Sequence, residues 1–358
     1  MKVSRRSFLA GTASVGVMAA NVRRAKAEET VVLASFGGSY QDNQRKAFFE
    51  PFTKATGIRV IEATGVTVAK IRSMVTTGNT EWDACVCATA DFPYLTSQNL
   101  LEKIDYSQID PKVIAEMDPD GVRPYGLGSV YSSQVISFST KAFPNGTHPK
   151  SWADVWNVEK FPGPRLLPAA SFVVQPVEPA LMAAGVAMDK VYPLNLPLAY
   201  DMFTKIRPHV IRWVTSSAAA PQALVDGEAV ITMANASRIA DIKAGGAAVD
   251  FVLDQGIASI GYWGVPKGAK NFKNAMKFAE FAARAEQQAA MARLSPFGPV
   301  NRRAFDLLTD DVKQGLTSFP ANKVKQLVQD SETWSLPSPA GPTYYEQNLK
   351  MWTSWVAK

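Results

Sequence analysis

Apolar and polar positions along this chain switch repeatedly between two periods. Thr30 to Ser35 reads as a buried strand, and Phe36-Gly37-Gly38-Ser39-Tyr40 as the turn that closes it. From Gln41 the spacing lengthens to that of a helix of about 14 residues. A second strand over Ile58 to Glu62, a helix around Val68 to Thr76 and a third strand in Trp82-Asp83-Ala84-Cys85-Val86-Cys87-Ala88 continue the alternation. Asp91 stands where it can cap the next helix. Strands alternating with helices at this interval predict a mostly parallel sheet covered on both faces.

Val130 to Ser139 forms an extended segment long enough to pass from one lobe into another. Beyond it Ser151 and Asp154 favour a helix start, and Phe161-Pro162-Gly163-Pro164 ends that helix. A second α/β region runs to about Ile260, with a helix over Pro221 to Glu228 and a strand over Ala229 to Met233. Gly261 to Val265 returns to the first region. Asn274 to Leu294 is predicted as one amphipathic helix with Phe278, Phe281, Ala282, Ala285 and Ala289 on its buried stripe. The C-terminal stretch carries Trp334, Trp352 and Trp355 among prolines, a pattern suited to packing across lobes. The expected architecture is α/β: two lobes, each a mostly parallel sheet flanked by helices, joined by two crossovers that act as a hinge. The boundaries are 28–137 with 262–308 for the first lobe, and 138–261 with 309–358 for the second.

The N-terminus changes how charge is read. Ser4-Arg5-Arg6-Ser7-Phe8-Leu9 is a twin-arginine export motif, followed by a mildly apolar stretch from Ala10 to Ala20. Ala25-Lys26-Ala27 supplies small residues for signal peptidase. The apolar stretch is about half the roughly 20 residues that span a bilayer, which argues for a cleaved signal over residues 1–27. That segment holds six of the 38 Lys and Arg and none of the 32 Asp and Glu, so the remainder balances at 32 against 32. The pI near 9.1 belongs largely to the export segment, and nucleic-acid binding loses its compositional support. Cys85 and Cys87 share one face of a buried strand at a spacing that does not bridge easily. Small buried thiols are one reading of them and a metal or redox pair the other. His148 and His209 each adjoin a proline in loop-like sequence and are expected at the surface.

Enzyme signatures do not stand out. There is no Gly-x-Ser-x-Gly, no P-loop and no zinc-type histidine pair, and Gly126-Leu127-Gly128 lacks the third glycine of a dinucleotide loop. No cofactor, metal or nucleic acid is expected.

Several stretches, in order, carry a resemblance: Ser35-Phe36-Gly37-Gly38-Ser39-Tyr40, Phe52-Thr53-Lys54-Ala55-Thr56-Gly57-Ile58-Arg59-Val60, Pro149-Lys150-Ser151-Trp152-Ala153-Asp154-Val155-Trp156, Val265-Pro266-Lys267-Gly268-Ala269-Lys270-Asn271 and Gly298-Pro299-Val300-Asn301. Together they resemble the periplasmic solute-binding proteins of the spermidine/putrescine group of ABC importers. The resemblance implies a two-lobed type II fold, a periplasmic monomer, a small-molecule solute and docking onto a membrane permease. Polyamine binders of that group hold amines with acidic side chains and aromatic walls. The matching positions here are Ser171 or Phe172, Gln175 and Gly261, and alanine replaces a tryptophan near Ala234-Asn235. Phe36 keeps an aromatic, and Phe297 stands where the group often has tyrosine.

Arg212-Trp213 instead resembles binders of amino-acid-like solutes such as γ-aminobutyrate. An arginine there can grip a carboxylate through paired hydrogen bonds. The expected site therefore comprises Phe36, Gly37, Gly38, Ser39, Tyr40, Ala90, Asp91, Arg212, Trp213, Asn235, Tyr262, Trp263 and Phe297. The expected solute is amino-acid-like, γ-aminobutyrate-like, opine-like or carboxylate-bearing, with polyamine as the alternative. Plain architectural roles stay open beside these: a solvated Arg212, a core Trp263, a tight bend at Gly37-Gly38, and helix caps at Asp91 and Asn235. A periplasmic sensor presenting its ligand to a receptor is the other class this fold can serve.

Overall fold

The computed structural model describes residues 28–170, 175–216 and 218–358. The export segment and Ser171 and Phe172 lie outside these residues. Eleven strands occur among the described residues: β1 Thr30–Ser35, β2 Arg59–Thr64, β3 Ala84–Ala88, β4 Leu101–Glu102, β5 Val122–Arg123, β6 Gly126–Ser139, β7 Arg165–Pro168, β8 Val210–Val214, β9 Ile231–Asn235, β10 Val249–Pro266 and β11 Leu327–Val328. Eight of them form the order β2-β1-β3-β10-β6-β9-β7-β8. Strands β2, β1 and β3 run parallel, as do β9, β7 and β8, whereas β10 is antiparallel to β3 and β6. Each lobe thus has its own parallel set, and the two long strands β6 and β10 belong to both.

Two large apolar cores sit either side of those strands. The first gathers Leu33, Phe48, Phe49, Phe52, Val86, Trp263 and Phe278. Its first helix runs Gly38–Gln44, widens into a π turn over Arg45–Phe49 and continues as Glu50–Thr56 to a left-handed Gly57. The extra residue of a π turn shifts the helical phase, which buries the adjacent Phe48 and Phe49 beside Phe52. The second core gathers Phe138, Trp152, Leu167 and Phe203 with Trp334, Trp352 and Trp355. The C-terminal tryptophans therefore pack inside the second lobe rather than across both.

Strand β6 faces the first core through Leu127, Val130 and Tyr131 and the second through Ile136 and Phe138; β10 does so in reverse. The passage between cores falls at Ser132 and Ser133 opposite Ser259 and Ala258, where the Ser132 and Ser259 hydroxyls lie 3.3 Å apart.

Two expectations need correction here. The single helix over Asn274 to Leu294 is two helices, Phe272–Ala283 and Ala285–Leu294, because Arg284 is extended (φ −65°, ψ 149°). Buried Gln288 and Asn301 hold the break: Gln288 Oε1 accepts from Val300 N (2.6 Å) and Asn301 N (2.8 Å), and Asn301 Nδ2 donates to Ala283 O (3.0 Å). The segment from 309 also does not join the second core at once. Val312, Leu316 and Phe319 pack on Ala289, Ala292 and Ala304 beside the first lobe.

Candidate functional site

In parallel α/β sheets the crevice beyond the strands' carboxyl ends is where ligands sit. Here those ends bring together the turn after β1, the turn after β3, and residue 261 of β10, which is paired with both Ala88 and Val130. Phe36 is 46% exposed at the lip. The Tyr40 ring stands 6.1 Å from Phe36 and 4.9 Å from Phe297, so these three aromatics form one wall. Gly37 and Gly38 have φ of 76° and 61°, the left-handed region that glycine supplies at least cost. The Gly37 N–H donates to Gln41 Oε1 (3.2 Å), and Gln41 Nε2 donates to Glu62, itself gripped by Arg45. The turn is thus braced from behind, and that N–H is not free for an anion. Ser39 is exposed on the same turn.

Ala90 and Asp91 lie in the short helical turn after β3, and Thr89 pins it: its hydroxyl donates to Ile260 O (2.6 Å) and accepts from Ile260 N (3.0 Å). Asp91 precedes the helix Phe92–Ser97 but makes no capping hydrogen bond with its side chain. Burial pushes its carboxyl up to about 6, partly offset by a hydrogen bond from the Ala88 backbone. Tyr345, on the helix Tyr344–Val356 of the second lobe, lies close enough to feel the Asp91 charge: burial first, then that carboxylate, raises its phenol.

The remaining expected residues are placed elsewhere. Asn235 ends β9 opposite Gln134, at the cleft's level, and its Oδ1 accepts from Ser237 N (3.0 Å) and Ser237 Oγ (2.7 Å) as a helix cap. Arg212 is aligned with Leu166, itself opposite Thr232, three positions below Asn235 on the outermost strand. At about 3.3 Å per residue that is roughly 10 Å short of the cleft's level. Its guanidinium instead donates to Glu228 at 3.2 Å on the surface. Trp213 packs against Phe203, Trp352 and Trp355. Trp263 is 1% exposed between Phe49 and Phe278, and its indole N–H has no partner. Tyr262 points to the opposite face, its ring on Phe92 and its hydroxyl donating to Asp120 O (2.8 Å). The structure therefore groups Phe36, Tyr40, Phe297, Asp91 and residue 261, leaves Trp213, Tyr262 and Trp263 packed against other aromatics, and leaves Arg212 in a surface ion pair.

Gln175 is buried with its Oε1 accepting from Asn348 Nδ2 (2.6 Å), facing the C-terminal helix. His209 is exposed as expected, but His148 stacks on Phe138 at 4.2 Å and is half-buried. Cys85 and Cys87 are buried free thiols with sulfurs 3.7 Å apart.

Sequence reading did not single out Ser129, Tyr345 or Glu178. Glu178 is fully buried, and its Oε1 accepts from Tyr192 (2.9 Å) and Trp334 (2.9 Å). Its burial raises the carboxyl above its ordinary range. Trp334 belongs to the helix Ser331–Ser335, which touches the helix Phe92–Ser97 of the first lobe. Only a polar residue set in an apolar run, as in Leu127-Gly128-Ser129-Val130-Tyr131, was there to flag Ser129.

With this geometry in view, the chain belongs to the bacterial extracellular solute-binding protein family, whose profile matches residues 47–320. It is 30% identical over 315 residues to the γ-aminobutyric acid-binding protein of Pseudomonas aeruginosa, covering 86% of this chain and 87% of that one. It is 26% identical to the spermidine/putrescine-binding periplasmic protein of Escherichia coli, covering 97% of each. Among solved structures it is similar to the periplasmic binding protein AgtB of A. tumefaciens R10 in complex with agropinic acid, with a TM-score of 0.80 and 32% identity over 92% of this chain and 99% of that one.

Proposed function

We propose that the protein is the periplasmic binding subunit of an ABC importer that captures a small zwitterionic solute, amino-acid-like or opine-like, and hands it to the membrane permease. The observation that carries the ligand class is Asp91. It is a carboxylate that caps no helix and pairs with no cation among the described residues, held at a cleft edge opposite Tyr345 of the other lobe. A buried carboxylate of this kind is stabilised by a partner cation, and a ligand ammonium supplies one. Phe36, Tyr40 and Phe297 enclose the ligand's apolar carbons. The lobes close on it about Ser132–Ser133 and Ala258–Ser259, and the closed form is what the permease reads. Export by the twin-arginine route and a monomeric state belong to this reading, as does the absence of catalysis. Relatives that take γ-aminobutyric acid and agropinic acid, both bearing a carboxyl group, support it. The same Asp91 also favours polyamines, which the Escherichia coli relative takes.

A thermal-shift screen of the protein from Glu28 tests the reading, with γ-aminobutyrate, agropinic acid, amino acids, putrescine and spermidine. A ligand at about 100 times its Kd adds about 2.7 kcal/mol, a shift of a few degrees. Stabilisation by a carboxylate-bearing amine supports the zwitterion, and stabilisation by diamines alone transfers the role to polyamines. No response to any of these compounds retires the ligand class.

A further inference from the structure

At the passage between the lobes, a buried donor and a buried acceptor lie close together and each lacks a partner among the described residues. Ser133 of β6 is buried opposite Ala258, and its hydroxyl makes no hydrogen bond. Gln326, also buried, comes one residue before β11, which pairs with β10 from Ile257. Its Nε2 donates to Thr317 O (2.9 Å) and Asn322 O (3.0 Å), which fixes the amide's orientation and leaves Oε1 unpaired. Gly256 stands between the two. A Cβ there would lie 2.7 Å from Ser133 Oγ and 3.1 Å from Gln326 Oε1, with Leu253 O at 3.0 Å. Both unpaired atoms therefore border one small gap, and a shift of a few ångströms joins them.

The groups that meet here are fixed to different lobes. Gln326 is bonded to the segment carrying Leu316 and Phe319, which Lys323 ties to Asp118 of the first lobe (2.6 Å). Gly256 ends a bulged stretch of β10, where the register with β6 shifts between Val252 and Ile257. Gln255 fixes that stretch to the second core: its Oε1 accepts from Trp152 N (2.9 Å) and its carbonyl from Trp152 Nε1 (2.8 Å). The lobes touch across the cleft through the helices Phe92–Ser97 and Ser331–Ser335 and through Arg123 and Glu332, which is a closed arrangement. Parting them moves the Gly256 stretch relative to Gln326. A buried hydroxyl and a buried carbonyl are costly to leave unpaired, so complementary ones beside a moving joint point to a bond made in the other state.

We propose that Ser133 and Gln326 form a hinge latch: the Ser133 hydroxyl donates to Gln326 Oε1 when the lobes part, and closure breaks that bond by bringing the Gly256 backbone between them. This rests on the lobe closure of the solute-binding reading and adds a restoring element to it. The closed form carries an unpaired donor and acceptor that solute binding must offset, which favours reopening and release. Neither group is charged, so the latch is insensitive to salt, unlike the pair between Arg123 and Glu332.

Electron–electron distance measurements on the unliganded protein test this without any solute. Spin labels are placed at Gln98→Cys and Lys350→Cys, exposed positions on the two lobes, while the native Cys85 and Cys87 stay buried. The labelled protein is expected to show a long and a short separation. Ser133→Ala is expected to raise the ratio of short to long about three- to tenfold, at low and high salt alike, with Tm nearly unchanged. An unchanged ratio in Ser133→Ala overturns the latch, and with both separations still seen it leaves the lobe movement standing. A shift towards the long separation overturns it too, because the hydroxyl would then stabilise the closed form. A single separation in both proteins overturns the latch together with the movement on which it rests. A crystal structure of the parted form is expected to place Ser133 Oγ about 2.7–3.0 Å from Gln326 Oε1. An ordered water bridging the two groups in both forms overturns the latch.

Discussion

At the scale of single residues, Asp91 carries the sharpest consequence. An ammonium meets a full charge there only while the carboxyl is ionised. With its titration pushed up to about 6 in the unliganded protein, the ionised fraction is nearly complete at pH 7.5 and about one-tenth at pH 5. Affinity for γ-aminobutyrate is therefore expected to fall about tenfold across that interval, beyond any change in the ligand itself. Asp91→Asn should bind weakly at pH 7.5 and show a flat profile, and calorimetric titration at several pH values reads both. Stability runs the other way. Because folding raises this group above its ordinary 3.8, the folded state holds the proton more tightly than the unfolded chain. Its contribution thus improves as pH falls through 6 towards 4, and Asp91→Asn should raise the Tm of the unliganded protein at pH 7.5 but not at pH 4. Arg212 offers the contrasting case. Its pair with Glu228 is solvent-exposed and contributes about 0–1 kcal/mol, so Arg212→Ala should change solute affinity less than about twofold; a tenfold loss would return it to the site.

At the scale of elements, alternation between strand and helix was readable, while the phase of several elements was not. The stripe Phe278, Phe281, Ala282, Ala285 and Ala289 is buried as its spacing predicts, yet it is divided between two helices. Nothing at Arg284 announces a break, because the cause lies in Gln288 and Asn301 and in the Val300 and Asn301 amides they meet after folding. Gln288→Leu keeps the shape and strands both amides at about 1–3 kcal/mol each, so calorimetry should show a Tm several degrees lower. A retained Tm would mean the break is set by the Arg284 backbone alone. The same limit explains Trp213 and Trp263. An aromatic on a strand next to a crossover reads equally well as cleft wall or core, and only the neighbours Phe203, Trp355, Phe49 and Phe278 decide for core. Phe36 and Phe297 entered the expected site through the family resemblance and Tyr40 through the glycine turn after β1, and folding brings the three rings side by side.

At the scale of the whole molecule, binding requires a closed state that is favoured by ligand yet easily released. The passages through Ser132–Ser133 and Ala258–Ser259 are backbone-paired throughout, so they keep the lobes in register. What crosses the cleft is lighter. Arg123 of β5 reaches Glu332 of the helix Ser331–Ser335 at 3.2 Å, with side-chain exposures of 38% and 79%. That helix is bolted firmly to its own lobe, through Trp334 on Glu178 and through Asp330 N donating to Tyr192 (3.2 Å). The arrangement places rigidity within each lobe and a screened, solvent-exposed ion pair between them. Such a pair is worth about 0–1 kcal/mol, which limits its share of closure to about fivefold in the open–closed equilibrium. Arg123→Ala or Glu332→Ala should therefore weaken solute binding by no more than about fivefold. The loss should be smaller at high salt in both the wild type and the variants, and the effects of the two substitutions should not add, because either one removes the same contact. Glu178→Ala is different in kind. It leaves the Trp334 indole and the Tyr192 hydroxyl unpaired in the second core and loosens the element that makes the contact, so its loss of affinity should persist at high salt and come with a lower Tm. Salt-insensitive, additive effects of Arg123→Ala and Glu332→Ala would instead show that the two residues act in separate places and that the lobes are held together by packing alone.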